Sequence, residues 1–234
     1  MSTVQTSGLD KAENGLVLIV EDHRMLAEGL RATLKRAGIE NRVVYPSKRD
    51  DVLQAQRKYE PRVILLDLDL GLRDGGGASL VRLLVDTGAT VILITGSRDR
   101  YELGRCLEAG AQGVIDKALS LDQLIDTVRY ALRGEPLPGR AERDALIAEV
   151  RQKELHDLRR MQRFLQLSPR EAQVLQALAD GRSVEDLVAE NFVSVTTVRS
   201  QVRAILQKLG VHSQLAAVAA ARQSGWLEAR SRMG

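Results

Sequence analysis

Residues 63–67 read Val63-Ile64-Leu65-Leu66-Asp67, a short apolar run that ends in an acid. Three other short apolar runs likewise end in an acidic, hydroxyl or cationic residue. Leu16-Val17-Leu18-Ile19-Val20 ends in Glu21-Asp22, Val91-Ile92-Leu93-Ile94 ends in Thr95, and Gly113-Val114-Ile115-Asp116 ends in Lys117. In an open parallel sheet the C-terminal ends of the strands line one crevice, and such folds bind and react there. Three carboxylates, a hydroxyl and an ammonium gathered in that crevice form a site for a divalent cation and a phosphoryl group.

Between Leu16 and Arg133 the apolar runs alternate with amphipathic helical patterns. Strands are predicted at 16–21, 42–45, 62–67, 90–95 and 112–116, and helices at 23–37, 48–58, 77–87, 99–109 and 120–133. This alternation argues for βα units and a five-stranded parallel sheet covered on both faces, an α/β doubly wound architecture. Ser120-Leu-Asp-Gln123 reads as a capping box for the last of these helices.

Gly134-Glu-Pro-Leu-Pro-Gly139 is a break that no helix crosses comfortably. From Arg140 to Leu165 one long, charged helical pattern follows without Gly or Pro. Its apolar positions Ile147, Val150, Leu158, Met161 and Leu165 keep three-and-four spacing, interrupted by Glu154. The stripe fits either a solvated connector or a dimerising helix. After Leu167 come several helix starts. Ser168-Pro-Arg-Glu171 is a capping box with proline at the first helical position. Ser183 and Ser194 are further caps, Gly210 is a stop, and a fourth helix spans 213–223. These four short helices make an all-α module.

Composition sets the class. A chain of 234 residues can bury two cores. The apolar stretch Leu215–Ala221 is far shorter than the ~20 residues of a membrane span. The polar N-terminus lacks a signal peptide's apolar core and reads as a disordered lead-in over residues 1–14. The single cysteine, Cys106, excludes an internal disulfide, suits a reducing cytoplasm and reads as a buried residue on a helix. Residues 1–139 carry 19 basic and 20 acidic side chains, whereas 140–234 carry 15 and 11. No acid occurs from Asn191 to Leu227, where Arg199, Arg203, Lys208 and Arg222 lie. A polyanionic partner favours such a segment.

The chemistry of the crevice follows from charge. A phosphoryl donor and an acceptor carboxylate repel, so a cation must bridge them. Mg²⁺ prefers oxygen ligands and keeps several waters, so Glu21, Asp22 and Asp67 suffice to hold it. Asp67 ends the more apolar, central strand and is the expected nucleophile. Lys117 supplies a point charge and Thr95 a neutral hydrogen bond to phosphoryl oxygens. His23 is expected to pack or hydrogen-bond beside the crevice.

Residues 16–133 resemble a response-regulator receiver domain, which has a flavodoxin-like fold. Asp67-Leu68-Asp69-Leu70-Gly71-Leu72-Arg73-Asp74-Gly75 matches that family's phosphoacceptor loop, Glu21-Asp22 its acidic pair, Thr95 its switch hydroxyl and Lys117 its lysine. The resemblance implies Mg²⁺ held by Glu21, Asp22, Asp67 and the backbone carbonyl of Asp69. Four positions depart from the family: Gly71 stands for a proline, Glu21 for an aspartate, Asp116 for an apolar residue before the lysine, and Val114 for the switch aromatic. Val114 and Gly71 support a second reading, a receiver that works without phosphorylation. A third is an enzyme, because Asp67-Leu-Asp69 resembles the start of haloacid-dehalogenase-type phosphatases. Those need an acidic pair after the lysine, and here it precedes it, so no enzyme is expected.

Predicted helices at 183–191 and 195–209 have helix-turn-helix spacing. Arg199 and Arg203, four apart, share a helix face and can contact guanine bidentately. Val198, Val202, Ile205 and Leu209 form the opposite, buried stripe, as do Val174, Leu175 and Leu178 on the module's first helix, which starts at Ser168. The stretch from Leu167-Ser-Pro-Arg-Glu171 to Gln207-Lys-Leu-Gly-Val211 resembles the LuxR-type DNA-binding domain, with Gln201 in place of a histidine and Asn191 in place of a buried leucine. By that resemblance Arg199, Ser200 and Arg203 face base edges, and Thr196, Thr197, Gln201 and Lys208 lie near phosphates. With the receiver this is the domain order of NarL/FixJ-type response regulators. It implies a receiver over 15–134, a linker with a long helix over 135–166 and a DNA-binding domain over 167–230. A sensor histidine kinase, DNA and a second copy in an active homodimer are the implied partners, with no membrane.

Overall fold

The computed structural model describes residues 15–71, 77–191 and 194–231, without the side chains of Glu190, Asn191 and Ser231. The lead-in over 1–14, the loop residues Leu72, Arg73, Asp74 and Gly75, and the Asn191 side chain therefore lie outside the described residues. The chain forms two compact units, one ending at Val150 and the other starting at Arg151.

In the first unit β1 (Val17–Val20), β2 (Asn41–Val44), β3 (Val63–Asp67), β4 (Thr90–Thr95) and β5 (Gly113–Asp116) form one sheet in the order β2-β1-β3-β4-β5. All neighbours pair in parallel. Between them run α1 (Arg24–Arg36), α2 (Arg49–Tyr59), α3 (Gly77–Val85) and α4 (Arg100–Glu108), and α5 (Leu121–Arg133) follows β5. Alternation within each strand divides the core. Leu18, Val20, Ile64, Leu66, Val91 and Leu93 face α2, α3 and α4, whereas Val17, Ile19, Val63, Leu65, Ile92 and Ile94 face α1 and α5. The doubly wound α/β sheet is thus the fold expected, with strand ends within a residue or two of their predicted places.

Register decides what meets in the crevice. Val20 pairs with Leu66, and Asp67 pairs with Ile94. Glu21, Asp67 and Thr95 therefore leave three adjacent strands at one level. Asp67, on the middle strand, is enclosed by a strand on either side.

The helix α6 (Arg140–Leu165) contributes to both cores. Its residues Leu146 and Val150 are buried in the first unit, and Ile147 packs beside them. Gly104 of α4 makes this approach possible: a Cβ there would sit 2.5 Å from Val150 Cγ2 and 2.7 Å from the Leu146 carbonyl oxygen. Of the remaining positions of the predicted stripe, Met161 packs into the second core, while Leu158 and Leu165 are exposed. The stripe is therefore not one continuous buried seam.

The second unit contains α7 (Pro169–Ala179), α8 (Val184–Asn191), α9 (Val195–Leu209), α10 (Gln214–Gln223) and α11 (Trp226–Ser231). The Ser168–Glu171 capping box and the Ser183 and Ser194 caps form as expected. Val174, Leu175, Val198, Val202, Ile205 and Leu209 build its core, and Leu178 packs at its edge. The short α11 adds a fifth helix to the expected four. Gly225, at φ 68°, ends α10, and Trp226 restarts the chain by stacking on Phe164 with ring centroids 5.4 Å apart. No described helix is long and apolar enough to cross a membrane.

Candidate functional site

The crevice is built around a buried ion cluster. Asp67 is 2 % exposed and Glu21 1 % exposed, so neither carboxylate is solvated from bulk water. Lys117 pairs with both, its Nζ 2.8 Å from Asp67 Oδ2 and 3.2 Å from Glu21 Oε2. The Asp69 backbone N–H donates to Asp67 Oδ1 at 3.1 Å, and the His23 N–H donates to Glu21 Oε1 at 2.9 Å. Burying an unpaired charge costs far more than burying a pair, so this lysine is what lets the acids stay inside.

Proton affinities reflect the crowding. Burial pushes the Glu21 carboxyl above its ordinary value, helped by the Asp67 charge and opposed by the His23 N–H. Burial alone would lower the Lys117 ammonium, but the hydrogen bond and charge of Asp67, with those of Glu21, hold it above the usual lysine range. Oε2 of Glu21 is buried, and among the described residues its polar neighbour is the Lys117 ammonium, 3.2 Å away. Glu21, Asp22, His23 and Asp67 bring potential ligand atoms within 4.8 Å of one another. The donor set is mostly carboxylate oxygen, with one ammonium facing two buried acids, and it fits a hard divalent cation. His23 itself is largely exposed, its Nδ1 lying 2.9 Å from Asp22 Oδ1 and 3.2 Å from Glu21 Oε1.

The other expected residues divide. Thr95 is buried, and its Oγ1 accepts the Ser97 backbone N–H at 2.9 Å rather than meeting Asp67. Ser97 was not among the expected residues; its signal is local, a residue two places past a strand-end hydroxyl. The Asp69 carbonyl accepts the Gly71 N–H at 2.9 Å, which leaves one lone pair. Cys106 lies buried on α4 as expected, and burial pushes its thiol up to about 12.

In the second unit Thr196, Thr197, Arg199, Ser200 and Arg203 are exposed on α9. Their side chains are not equally available. The Thr197 hydroxyl lies 2.8 Å from Ser194 Oγ in the helix cap, and Ser200 Oγ donates to the Thr197 carbonyl at 3.2 Å. Arg199 and Arg203 make no ion pair among the described residues. Lys208 is half-buried, and its ammonium donates to Glu171 Oε2 at 2.6 Å. Gln201 is half-buried with Oε1 unpartnered. Arg163 of α6 went unread in the sequence: it donates to the Leu209 carbonyl at 3.0 Å and so closes the C-terminal end of α9.

Comparison with known proteins agrees with both halves. Residues 17–129 match the response regulator receiver domain, and residues 165–221 match the bacterial regulatory proteins of the luxR family. A transcriptional regulator of Pseudomonas aeruginosa is 31% identical over 200 residues, covering 84% of this chain and 92% of that protein. A nitrate/nitrite response regulator homologue of Haemophilus influenzae is 26% identical over 204 residues, covering 86% of this chain and 93% of its own. The solved structure of the Salmonella typhimurium RcsB response regulator has a TM-score of 0.49 at 20% identity, covering 88% of this chain and 97% of that one. Two family matches in this order, with a relative aligned along most of both chains, place the protein among the NarL-type response regulators, transcriptional regulators in which a receiver precedes a luxR-family domain.

Proposed function

We propose that phosphorylation of Asp67 controls how α9 holds DNA. The observation that supports this best is the ion cluster: a buried carboxylate on the middle strand, beside an ammonium and two further acids. An oxygen of Asp67 attacks the phosphorus of a sensor-kinase phosphohistidine or a small phosphodonor. A new O–P bond forms, the donor's bond to phosphorus breaks, and its electron pair leaves with the donor. Glu21, Asp22, Asp67 and the Asp69 carbonyl would hold Mg²⁺, which neutralises charge between donor and acceptor. Lys117 stays on the phosphoryl oxygens. Thr95 exchanges the Ser97 N–H for the new group, which brings about −1.5 to −2 charge.

In this reading the receiver spans 15–134, the linker 135–166 and the DNA-binding domain 167–230, and the protein is a cytoplasmic regulator, not an enzyme. Arg199, Ser200 and Arg203 face base edges, with Thr196, Thr197, Gln201 and Lys208 toward phosphates. The active form is a homodimer whose half-sites lie about one helical turn apart.

The test is DNA binding by the full chain, on sites selected from a random pool and at two salt concentrations. Treatment with a small phosphodonor and Mg²⁺ should change affinity, and Asp67→Asn should remove that change. Arg199→Ala with Arg203→Ala should abolish sequence preference while leaving salt-sensitive nonspecific binding. Site affinity unaltered by the arginine pair, or a phosphodonor effect surviving in Asp67→Asn, would sink the proposal.

A further inference from the structure

The first unit holds a cavity of about 510 Å³ with Thr95 in its wall. Leu103 and Leu107 of α4, Val114 of β5 and Leu146 of α6 give it an apolar lining. Its origin is visible in the packing. Val114 and Asp116 leave β5 toward α4, while Ile115 enters the opposite core. Gly104 lets α6 close onto α4 at Leu146, but Val114 is too short to fill the space remaining between strand and helices. A cavity of this size, whose apolar side chains stand beside a set of polar and charged groups, is a form that small-molecule sites take.

The charged groups around it say what kind. Arg100 is committed to Glu149, donating at 3.1 and 2.7 Å. Arg143 donates to the Ala111 carbonyl at 3.3 Å and lies 3.5 Å from Asp144. Asp116 accepts the Ala118 N–H at 2.8 Å, and Glu142 lies in the field of Arg100. Arg98 alone among the lining arginines has no hydrogen bond or ion pair among the described residues.

We infer that this cavity binds a small amphipathic anion, its apolar body against Val114, Leu103 and Leu146 and its carboxylate or sulfonate on Arg98. Arg98 adjoins Ser97, whose N–H holds the Thr95 hydroxyl, so the ligand sits one residue from that contact. The inference stands apart from the phosphoacceptor reading, since none of its binding groups is Asp67, Glu21 or Lys117.

The probe is 8-anilinonaphthalene-1-sulfonate, titrated into the full chain by fluorescence, with octanoate and octylamine as competitors. One saturable site is expected, displaced by octanoate and not by octylamine. Arg98→Ala, on an exposed loop, should weaken it roughly tenfold, the loss of one charge-assisted contact. Val114→Phe, which places a ring in the cavity, should abolish it with the circular dichroism unchanged. The absence of saturable binding, an unchanged affinity in either folded variant, or equal competition by the amine overturns the inference. If Val114→Phe fails to fold, Arg98→Ala and the amine still decide it.

Discussion

Lys117 Nζ and Asp67 Oδ2 lie 2.8 Å apart although 50 residues separate them in the chain. Asp67 ends β3 and Lys117 directly follows β5, two strands that are not neighbours because β4 runs between them. The four-carbon lysine stem spans that strand, which a shorter side chain could not do. The ammonium reaches Glu21 as well, so one cation holds the charge of two buried acids in check.

Replacing Lys117 by methionine therefore frees negative charge in a half-dry site. Removing one unit charge at this range is worth ~1–4 kcal/mol. At the lower end, Mg²⁺ should bind about fivefold more tightly. Labelling of Asp67 should fall at the same time, since the phosphoryl oxygens lose a partner. The rise in melting temperature with added Mg²⁺ measures the first effect, and an unchanged Mg²⁺ affinity contradicts it.

Gly104 is a packing requirement of a different kind. A methyl group there meets Val150 at 2.5 Å and the Leu146 backbone oxygen at 2.7 Å, and backbone cannot swing aside. Gly104→Ala should lower stability by ~1–3 kcal/mol, the usual cost of overpacking. It should also detach the start of α6, seen as faster amide exchange over residues 143–150. Stability and exchange like those of the parent would show that α6 does not depend on this approach.

The Glu171–Lys208 pair gives a pH prediction. Burial pushes Glu171 up, but the Lys208 hydrogen bond, with the Ser168 N–H, more than offsets it, so its carboxyl sits below the ordinary value of 4.5. A carboxylate with a lowered folded value stabilises above its unfolded value and loses that contribution as pH falls through the folded one. Glu171→Gln should cost ~1 kcal/mol at neutral pH, and the difference from the parent should shrink as pH drops below 4.5. Urea midpoints from pH 7 to pH 3 measure it. Parallel curves would mean that the pair contributes no pH dependence.

The sheet was legible because β1, β3 and β4 are buried on both faces, so they are continuous apolar runs with polar residues only at their ends. The crevice was legible for the same reason: Glu21, Asp67, Thr95 and Lys117 all stand at strand ends. What could not be read was which side chains meet. Nothing local pairs Lys208 with Glu171, 37 residues away, or turns the Thr95 hydroxyl toward Ser97. The α6 stripe is imperfect because Leu146 and Val150 are buried in the first unit while Met161 and Phe164 serve the second core, so a single periodicity describes neither. The six residues of α11 are too few to show a helical period, and tertiary stacking of Trp226 on Phe164 fixes them.

The most direct test of the account is the stoichiometry of phosphoryl transfer to Asp67. Intact mass of the full chain, after incubation with acetyl phosphate and Mg²⁺, should show one added phosphoryl group, labile to hydroxylamine as an acyl phosphate is. The adduct should disappear in Asp67→Asn and when the divalent cation is chelated. Equal labelling of Asp67→Asn, or labelling indifferent to the cation, would contradict the assignment of Asp67 as the acceptor in this crevice.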